Sequence, residues 1–500
     1  MNSENQSSNT QSNKPLHLVI LGGGTAGWMA ANLFAKKWST HNIKITLVEA
    51  PEIGIIGVGE GSTPSLKRFF EMIEVEESLW MPRCNATYKV NIRFDGWSPA
   101  SGVKSYSHPF FSQVDTFTAK PFTVNCRTRR LGLDTHTQPD DFILNGLLAK
   151  QGKSPIAPAN FPFQMEYGYH FDSHLLGEFL AEHAITLGVT HLKEKIIAVE
   201  QHKNGDISAL RTSSEEKITG DFFIDCSGFA AVLMQKTLGV KFNSYKENLF
   251  NDSAIVMPTP ISETIPVETV STALSAGWCW KIPLQNRFGN GYVYSADFIT
   301  PNDAETELRR HLNCLDSPEQ ARHLKMKIGR LETHWANNCI GLGLSQGFIE
   351  PLEATALHLV QISLEIFIAQ FEQGGFTNKN RNEFNTELAK RFDGVRDYIV
   401  AHYKLNTRDD SDYWRANRDN THLSDSLYQL LNIWYTCEDL GKEIERQQIG
   451  AYFDSMSWHC LLAGYGAFPP LAQNQPNKGD LYKEKKIQQF LQGCALNFGP

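Results

Sequence analysis

The segment from His17 to Ala50 constrains the fold more than any other part of the chain. An apolar run, Leu18 to Leu21, is followed by three glycines in G-x-G-x-x-G spacing. An apolar helical stretch and a second apolar run come next, and the second run ends on Glu49. Strand, glycine turn, helix, strand and terminal acid together predict a βαβ unit that binds a dinucleotide.

Each part of this fingerprint has a physical role. Gly22 permits a tight turn, Gly24 lets the backbone approach a pyrophosphate, and Gly27 lets the helix pack closely against the strand. The helix start offers free N–H groups to the phosphates, and the acid is expected to hold ribose hydroxyls. The fingerprint does not distinguish NAD from FAD. The cofactor-binding candidates of this unit are Gly22, Gly24, Thr25, Ala26, Gly27 and Glu49.

Length, charge and cysteine content narrow the class of protein. The 500 residues, 41% of them hydrophobic, exceed what one core usually supports, so two or more packed subdomains are expected. The net charge of −8 without a long basic run argues against nucleic acid or an anionic membrane as partner. Nine dispersed cysteines without metal-ligand spacing indicate reduced thiols and no metal. A polar tail at residues 1–14, expected to be disordered, and no apolar run of membrane-spanning length predict a cytoplasmic enzyme.

Glycine-rich turns recur in three later segments, and in two of them an apolar strand precedes the turn. Residues 51–64 form a glycine-rich loop, either a surface connection or a strap over a flat cofactor. DFFIDCSG at 221–228 is a buried strand that suits a second nucleotide contact, or one more core strand. Residues 338–353 again join a strand to a glycine loop. The additional cofactor-binding candidates are Gly57, Val58, Gly59, Glu60, Ser227, Gly228, Gly343 and Phe348.

The middle of the chain contains two strand patterns and one region without a pattern. NATYKVNIRF at 85–94 alternates as a half-buried strand whose polar face carries Lys89, which composition alone places in solvent. GWCWKIPL at 277–284 places Trp278 and Trp280 on one face, as a core aromatic pair if nothing else. Residues 97–162 look irregular, as binding-site regions and lids often are. Candidate pocket or core aromatics are His108, Phe110 and Phe111.

A strongly apolar helix is predicted from Leu357 to Phe371, which places Thr355 and Ala356 near its start, where free amides can bind an anion. Glu350 and Glu353 stand just before it and could simply complement the helix dipole. Beyond residue 375 the chain is predicted to be mainly helical, with a charged loop at 404–420.

Five segments in this order resemble the flavin-dependent halogenases related to tryptophan halogenase. They are GGGTAGW, GVGEGSTP, NATYKVNIRF, WCWKIP and GFIEPLEAT, at 22–28, 57–64, 85–94, 278–283 and 347–355. The W-x-W-x-I-P hexapeptide is the most specific, because ordinary flavin monooxygenases lack it. The resemblance implies FAD supplied as FADH2 by a separate flavin reductase, with O2 and chloride or bromide giving hypohalous acid. The single dinucleotide fingerprint agrees with a reductase on another chain.

The resemblance also implies a role for each matching residue. Lys89 corresponds to the lysine that binds hypohalous acid or forms a haloamine with it, and Glu353 to the glutamate that takes the ring proton. The backbone amides of Thr355 and Ala356 correspond to the halide site. Trp278 and Trp280 correspond to the pair that keeps substrate away from the flavin.

The resemblance weakens toward the end of the chain. Position 356 is Ala where tryptophan-specific members have Gly, and residues 447–460 lack the clamp that those members use for a free amino acid. We therefore expect a small electron-rich aromatic substrate, indole-like or phenolic, rather than free tryptophan, in a pocket that also includes Trp458. The alternatives are a flavin-dependent aromatic hydroxylase and a non-catalytic flavin-binding protein. The oligomeric state is left open, with a homodimer as one expectation.

The expected fold class is α/β. A Rossmann-type FAD-binding core of the glutathione-reductase or aromatic-hydroxylase kind is expected over 15–375, with substrate-region segments inserted at about 97–165 and 240–330. A mainly helical region, 376–500, is expected to complete the substrate site.

Overall fold

The computed structural model describes residues 14–54 and 59–500. The predicted disordered tail therefore lies outside the described residues except for Lys14, and so do two cofactor-binding candidates of the strap, Gly57 and Val58.

The described ranges contain strands and helices in an interleaved order. The strands are β1 Leu16–Leu21, β2 Ile43–Glu49, β3 Glu60–Gly61, β4 Thr87–Lys89, β5 Asn91–Ser98, β6 Val103–Pro109, β7 Gly168–Phe171, β8 Thr190–Lys193, β9 Ile196–Gln201, β10 Ile207–Thr212, β11 Lys217–Thr219, β12 Phe222–Asp225, β13 Phe242–Ser244, β14 Ser253–Thr259, β15 Glu268–Leu274, β16 Gly277–Pro283, β17 Phe288–Tyr294, β18 Arg322–Lys325, β19 Gly329–Leu331, β20 Trp335–Ala336, β21 Cys339–Gly341 and β22 Gly347–Phe348. The α-helices are α1 Thr25–Lys37, α2 Ser65–Met72, α3 Glu77–Trp80, α4 Thr116–Arg130, α5 Leu144–Lys150, α6 Ser173–Thr186, α7 Pro301–His311, α8 Thr355–Gln373, α9 Arg381–Lys404, α10 Asp412–Asp419, α11 Asp425–Tyr435, α12 Leu440–Gln447, α13 Ser455–Gly464, α14 Leu481–Glu484 and α15 Ile487–Ala495.

The first layer is a six-stranded sheet in the order β20-β21-β12-β1-β2-β8. All pairs but the β20-β21 edge are parallel, and the first two strands flank α1 as the fingerprint predicts. Such a sheet is buried on both faces, and β1 accordingly reads as a continuous apolar run whose last four residues are buried. The Rossmann-type α/β class is confirmed.

Two further sheets place the candidate catalytic groups. The seven-stranded sheet β18-β14-β17-β16-β15-β5-β6 carries the two tryptophans of β16, and the small sheet β3-β7-β4 carries Lys89. Strands β4 and β5 are separated by Val90, whose amide donates to Val267 O, so the chain passes directly from one sheet into the other. The lysine therefore stands where the two sheets meet.

Several local expectations are wrong. The predicted single strand at 85–94 is two strands, and its polar face is not solvated, since Thr87, Lys89 and Asn91 are buried. The region 97–162 is not irregular but contains β6, α4 and α5. Helix α4 escaped notice because its threonines and Pro121 have low helix propensity; its stability comes from packing of buried side chains such as Phe122.

The C-terminal region is helical from α9 to α15, as expected, although the predicted loop at 404–420 contains α10. Helix α9 is the longest of the helices described, and ten of its buried residues lie between Phe384 and His402. Over residues 14–54 and 59–500, no helix is both long and apolar enough to cross a membrane.

Candidate active site

Four of the predicted cofactor segments meet at one edge of the parallel sheet. The glycine turn follows β1, Glu49 ends β2, Ser227 and Gly228 follow β12, and Gly343 follows β21. Because these strands are parallel neighbours, their carboxyl ends lie side by side, which is where α/β proteins bind nucleotides.

The glycine turn has the shape that a pyrophosphate requires. Gly22 has φ +117°, and a Cβ there would lie 2.2 Å from Cys226 O. A Cβ on Gly27 would lie 2.0 Å from Gly22 O, whereas a Cβ on Gly24 would meet no atom within 4 Å. The backbone is thus crowded on the protein side and open at Gly24, the helix cap, where no side chain caps the first amides of α1. These residues fit a dinucleotide.

The rest of the cradle is held by buried hydrogen bonds. Glu49 Oε1 accepts from His191 Nε2 at 2.7 Å, which fixes the carboxylate beside the glycine turn. Asp225 is completely buried and accepts from the amides of Ser227, Leu233 and Met234, and these three hydrogen bonds stabilise the turn after β12. Burial raises the pKa of Asp225, and these bonds oppose the rise.

The remaining described cofactor candidates lie in two places, Gly59 and Glu60 at the small sheet β3-β7-β4 and Phe348 beside the turn after β12. Gly59 has φ +99°, and Glu60 pairs with Phe171 in β3-β7. Burial raises the pKa of Glu60 to about 7. The ring of Phe348 contacts Phe229 edge-on at 5.7 Å, next to Gly228.

Lys89 is the most unusual side chain of the site. It is 0% exposed, and its Nζ has no hydrogen-bond partner in the described part of the chain. The amine lies 5.5 Å from the ring centroid of Phe110 and 3.2 Å from the position of a Cβ on Gly61. Burial lowers the pKa of Lys89 to about 7, and the negative charge of Glu353 opposes part of this shift. The fold thus brings this amine within electrostatic range of Glu353 without forming an ion pair between the two groups.

Glu353 is held between two histidines. Its Oε2 lies 3.0 Å from His108 Nδ1, and its Oε1 lies 2.9 Å from His402 Nε2. Burial opposes ionisation, but the two histidines outweigh it and lower the pKa of Glu353 to about 2. Burial opposes protonation of His108, but the negative charge of Glu353 outweighs burial and raises the pKa of this histidine. At His402 burial outweighs the effect of Glu353 and lowers the pKa. The carboxylate is therefore ionised throughout the neutral range.

The two tryptophans of β16 are fixed in different ways. Trp278 Nε1 donates to Glu350 Oε2 at 2.8 Å, whereas Trp280 packs its ring over Gly291, where a Cβ would lie 2.1 Å from Trp280 Cζ2. Their ring centroids are 6.0 Å apart and tilted by 55°. Gly291 is required because no other residue leaves room for this indole.

Helix α8 begins at Thr355, two residues before the predicted start at Leu357, after a left-handed Ala354 with φ +54°. Its first amides, those of Thr355 and Ala356 among them, have no acceptor within the helix. Thr355 Oγ1 is buried and unpartnered within residues 14–54 and 59–500. The helix start thus offers several donors close to Glu353.

The predicted pocket aromatics fall into two groups. His108 contacts Glu353 directly, and Phe110 approaches Lys89, so both belong to the site. Trp458 is buried behind Tyr398, which it meets edge-on at 4.9 Å, and Tyr398 in turn stacks on Phe453 at 3.6 Å. Phe111 is half-buried in the loop after β6.

Sequence reasoning missed His402, and it gave Glu350 only the role of complementing the helix dipole. His402 lies in α9, where the helical pattern alone does not separate a ligand of the site from a core residue. Glu350 directly precedes the family segment P-L-E, which ends at Glu353. This position next to the family segment was the sequence signal that pointed to a further role for Glu350.

The fold and the site together are those of a flavin-dependent oxidoreductase: a cradle that fits a nucleotide lies at the edge of the parallel sheet, and an amine and a carboxylate are buried elsewhere in the fold. Residues 17–477 match the family model for tryptophan halogenase. The chain belongs to this family, and it is a flavin-dependent halogenase of aromatic compounds.

Individual relatives extend over nearly the whole chain. A tryptophan 6-halogenase, SttH from Streptomyces toxytricini, is 37% identical, covering 92% of this chain and 92% of its own. The 7-chloro-L-tryptophan 6-halogenase KtzR from Kutzneria sp. is 34% identical, covering 90% of each. Among solved structures, the flavin-dependent halogenase Xcc4156 from Xanthomonas campestris superimposes with a TM-score of 0.84 at 31% identity, covering 97% of both chains.

Proposed function

We propose that Lys89 receives hypohalous acid and directs its halogen onto an electron-rich aromatic ring, and that Glu353 takes the proton that the ring loses. The observation that carries this proposal is the amine of Lys89, which is fully buried and has no hydrogen-bond partner in residues 14–54 and 59–500. The negative charge of Glu353 nevertheless acts on this amine and opposes the fall in its pKa. An N–H donor kept away from bulk water can polarise a halogen electrophile without losing it to solvent.

The protein's own groups divide the work. FADH2 held in the cradle would supply two electrons to O2, and the halide would supply the other two and so be oxidised to hypohalous acid. The amides of Thr355 and Ala356 would hold chloride or bromide at the start of α8. Trp278 and Trp280 would separate the substrate from the flavin, and Glu49 with the glycine turn would hold the nucleotide.

Glu353 suits the role of base because its environment keeps it ionised. Two histidines hold both carboxylate oxygens, so the group is oriented as well as charged. A carboxylate positioned at the ring typically accelerates proton loss by about 10²–10⁴-fold.

The substrate is proposed to be an indole-like or phenolic ring. The relatives' names, tryptophan halogenases among them, favour an indole. The segment 447–460 has a single acid, Asp454, whose carboxylate caps α13 by accepting from Ser457 N at 2.8 Å. This acid is committed to the helix, so the segment lacks a dedicated partner for the ammonium group of free tryptophan. We further propose that a separate reductase supplies FADH2.

The test is an incubation of the protein with a flavin reductase, NADH, FAD, O2 and chloride or bromide, with an arene panel that includes indoles, phenols and free tryptophan. We expect halogenated indoles or phenols from the protein and none from Lys89→Ala, while flavin oxidation continues. Lys104→Ala, which removes an exposed lysine of β6, is the matched control and should behave as the unmodified protein does.

Three results would contradict the proposal. Hydroxylated products formed without halide would favour a monooxygenase. Absence of turnover with every halide and arene would favour a flavin-binding protein without activity. Halogenation of free tryptophan alone would refute the proposed substrate class.

A further inference from the structure

Glu350 is a buried carboxyl group to which the proposed mechanism gives no role. It lies three residues before Glu353 in the loop that leads into α8, and it is 0% exposed. Its Oε2 accepts three hydrogen bonds, from Tyr403 OH at 2.6 Å, Trp278 Nε1 at 2.8 Å and Asn251 Nδ2 at 2.9 Å. Its Oε1 has no partner among the residues described.

A buried carboxyl group such as that of Glu350 lowers the stability of the fold. No lysine, arginine or histidine in ranges 14–54 and 59–500 forms an ion pair with Glu350, and burial raises the pKa of this group while the three donors oppose the rise. A polar group buried without a cation and with one oxygen unsatisfied destabilises a fold, so an apolar residue would be favoured here if packing alone mattered. The three donors on a single oxygen indicate a positional role.

Helix α9 connects this group to the proposed base. His402 Nε2 donates to Glu353 Oε1 at 2.9 Å, and the next residue, Tyr403, donates to Glu350. Two consecutive residues of one helix therefore hold both glutamates of the loop. Through Glu350 the same helix also holds the indole of Trp278.

We propose that Glu350 is a positioning residue that holds the indole of Trp278 in place. The indole in turn keeps the path of the oxidant from the flavin to the arene closed to solvent. The inference rests on the proposed function, in which Trp278 separates the two. Glu350 itself contacts neither halide nor substrate; it acts through the indole. If the indole tilts, oxidant escapes to solvent before it reaches Lys89.

The neighbouring tryptophan supplies an internal comparison. Trp280 Nε1 is buried without a partner in the described part of the chain, and its position depends on packing over Gly291. Of the two tryptophans that would separate substrate from flavin, Trp278 therefore depends on a hydrogen bond as well as on packing. Loss of Glu350 should displace Trp278.

The experiment compares Glu350→Gln, Glu350→Leu, Trp278→Phe and the double variant Glu350→Leu/Trp278→Phe. With reductase, NADH, FAD, bromide and an indole substrate, the readout is halogen captured by a soluble 1,3-diketone relative to halogenated arene. Tyr245→Phe is the matched control, because Tyr245 also donates to a carboxylate of α9, that of Asp393, at 2.5 Å, and among the residues described it makes no hydrogen bond to Trp278 or Glu350.

We expect Glu350→Leu and Trp278→Phe each to raise the trapped fraction about tenfold, as loss of a charge-assisted hydrogen bond would. The double variant should be no worse than either single one, because both remove the same contact. Glu350→Gln keeps an oxygen acceptor for the indole and should leak less than Glu350→Leu. Tyr245→Phe should match the unmodified protein.

A second readout is independent of turnover. In protein with ¹⁵N-labelled tryptophan, the indole resonance that disappears in Trp278→Phe should shift in Glu350→Gln and stay in place in Tyr245→Phe. This measurement, with Trp278→Phe, carries the test even if Glu350→Leu does not fold.

An unchanged trapped fraction in Trp278→Phe and Glu350→Leu, an additive double variant, or an unmoved indole resonance in Glu350→Gln would overturn the inference. If the unmodified protein halogenates no arene, the proposed function fails instead. The two failures are therefore distinguishable.

Discussion

The burial of Lys89 predicts a pH-dependent penalty on the folded state that replacement by methionine removes. The ordinary lysine pKa of 10.5 falls to about 7 in the folded protein. Because one pKa unit corresponds to about 1.36 kcal/mol, the difference is worth about 5 kcal/mol against the protonated amine. Methionine has a similar shape and length without charge, so Lys89→Met isolates this effect.

The direction follows from proton binding. Between pH 7 and 10.5 the unfolded chain carries a proton on Lys89 that the folded chain lacks, so the stability of the unmodified protein rises with pH in this window. Below pH 7 both states bind the proton and the full penalty applies; above 10.5 it vanishes. The stability advantage of Lys89→Met should therefore fall by about 1.36 kcal/mol per pH unit across the window.

The assay is urea unfolding followed by tryptophan fluorescence at pH 6.5 to 10.5, in about unit steps, without halide. Lys104→Met is the control: its side chain is exposed, so its difference from the unmodified protein should not change with pH. A Lys89→Met difference that is equally independent of pH would refute the reasoning, because the amine would then be solvated.

Four further variants test other parts of the site. Glu353→Gln keeps the acceptor but not the base, and product per oxidised flavin should fall about 10²–10⁴-fold while flavin oxidation continues; an unchanged yield would exclude the role. His402→Phe removes a donor that lowers the pKa of Glu353, so the acid limb of the pH–rate profile should move to higher pH; an unmoved limb would contradict this. A Cβ at Gly24 meets no atom within 4 Å, so Gly24→Ala should fold normally, yet it should weaken FAD binding in a fluorescence titration. Gly27→Val should instead disrupt the turn itself. An FAD affinity of Gly24→Ala equal to that of the unmodified protein would show that the pyrophosphate does not bind at this position.

The parts of the fold that depend on local rules were predictable from the sequence. The glycine spacing before α1 and the terminal Glu49 need only backbone geometry and periodicity, and both strands and the helix form as expected. The start of α8 was readable to within two residues from its apolar run. These features depend on residues that are neighbours along the chain.

What was missed depends on contacts between distant segments. Lys89 looked like a solvated lysine because alternation cannot reveal that a strand changes sheets at Val90 and is covered on both faces. His108 was expected to be an aromatic wall, and the structure gives it a hydrogen bond to Glu353, 245 residues further along the chain. His402 had no distinguishing pattern in α9. Tertiary packing, which periodicity does not encode, makes these groups a site.

In the proposed function, Lys89 and Glu353 act on an arene that is separated from the flavin, and only a small oxidant passes between the two. A crystal structure with FAD and an arene substrate bound tests it most directly. We expect a ring carbon within reach of both Lys89 Nζ and the Glu353 carboxylate, with Trp278 and Trp280 between the arene and the flavin. An arene stacked against the flavin, with Lys89 remote from the ring, would contradict it.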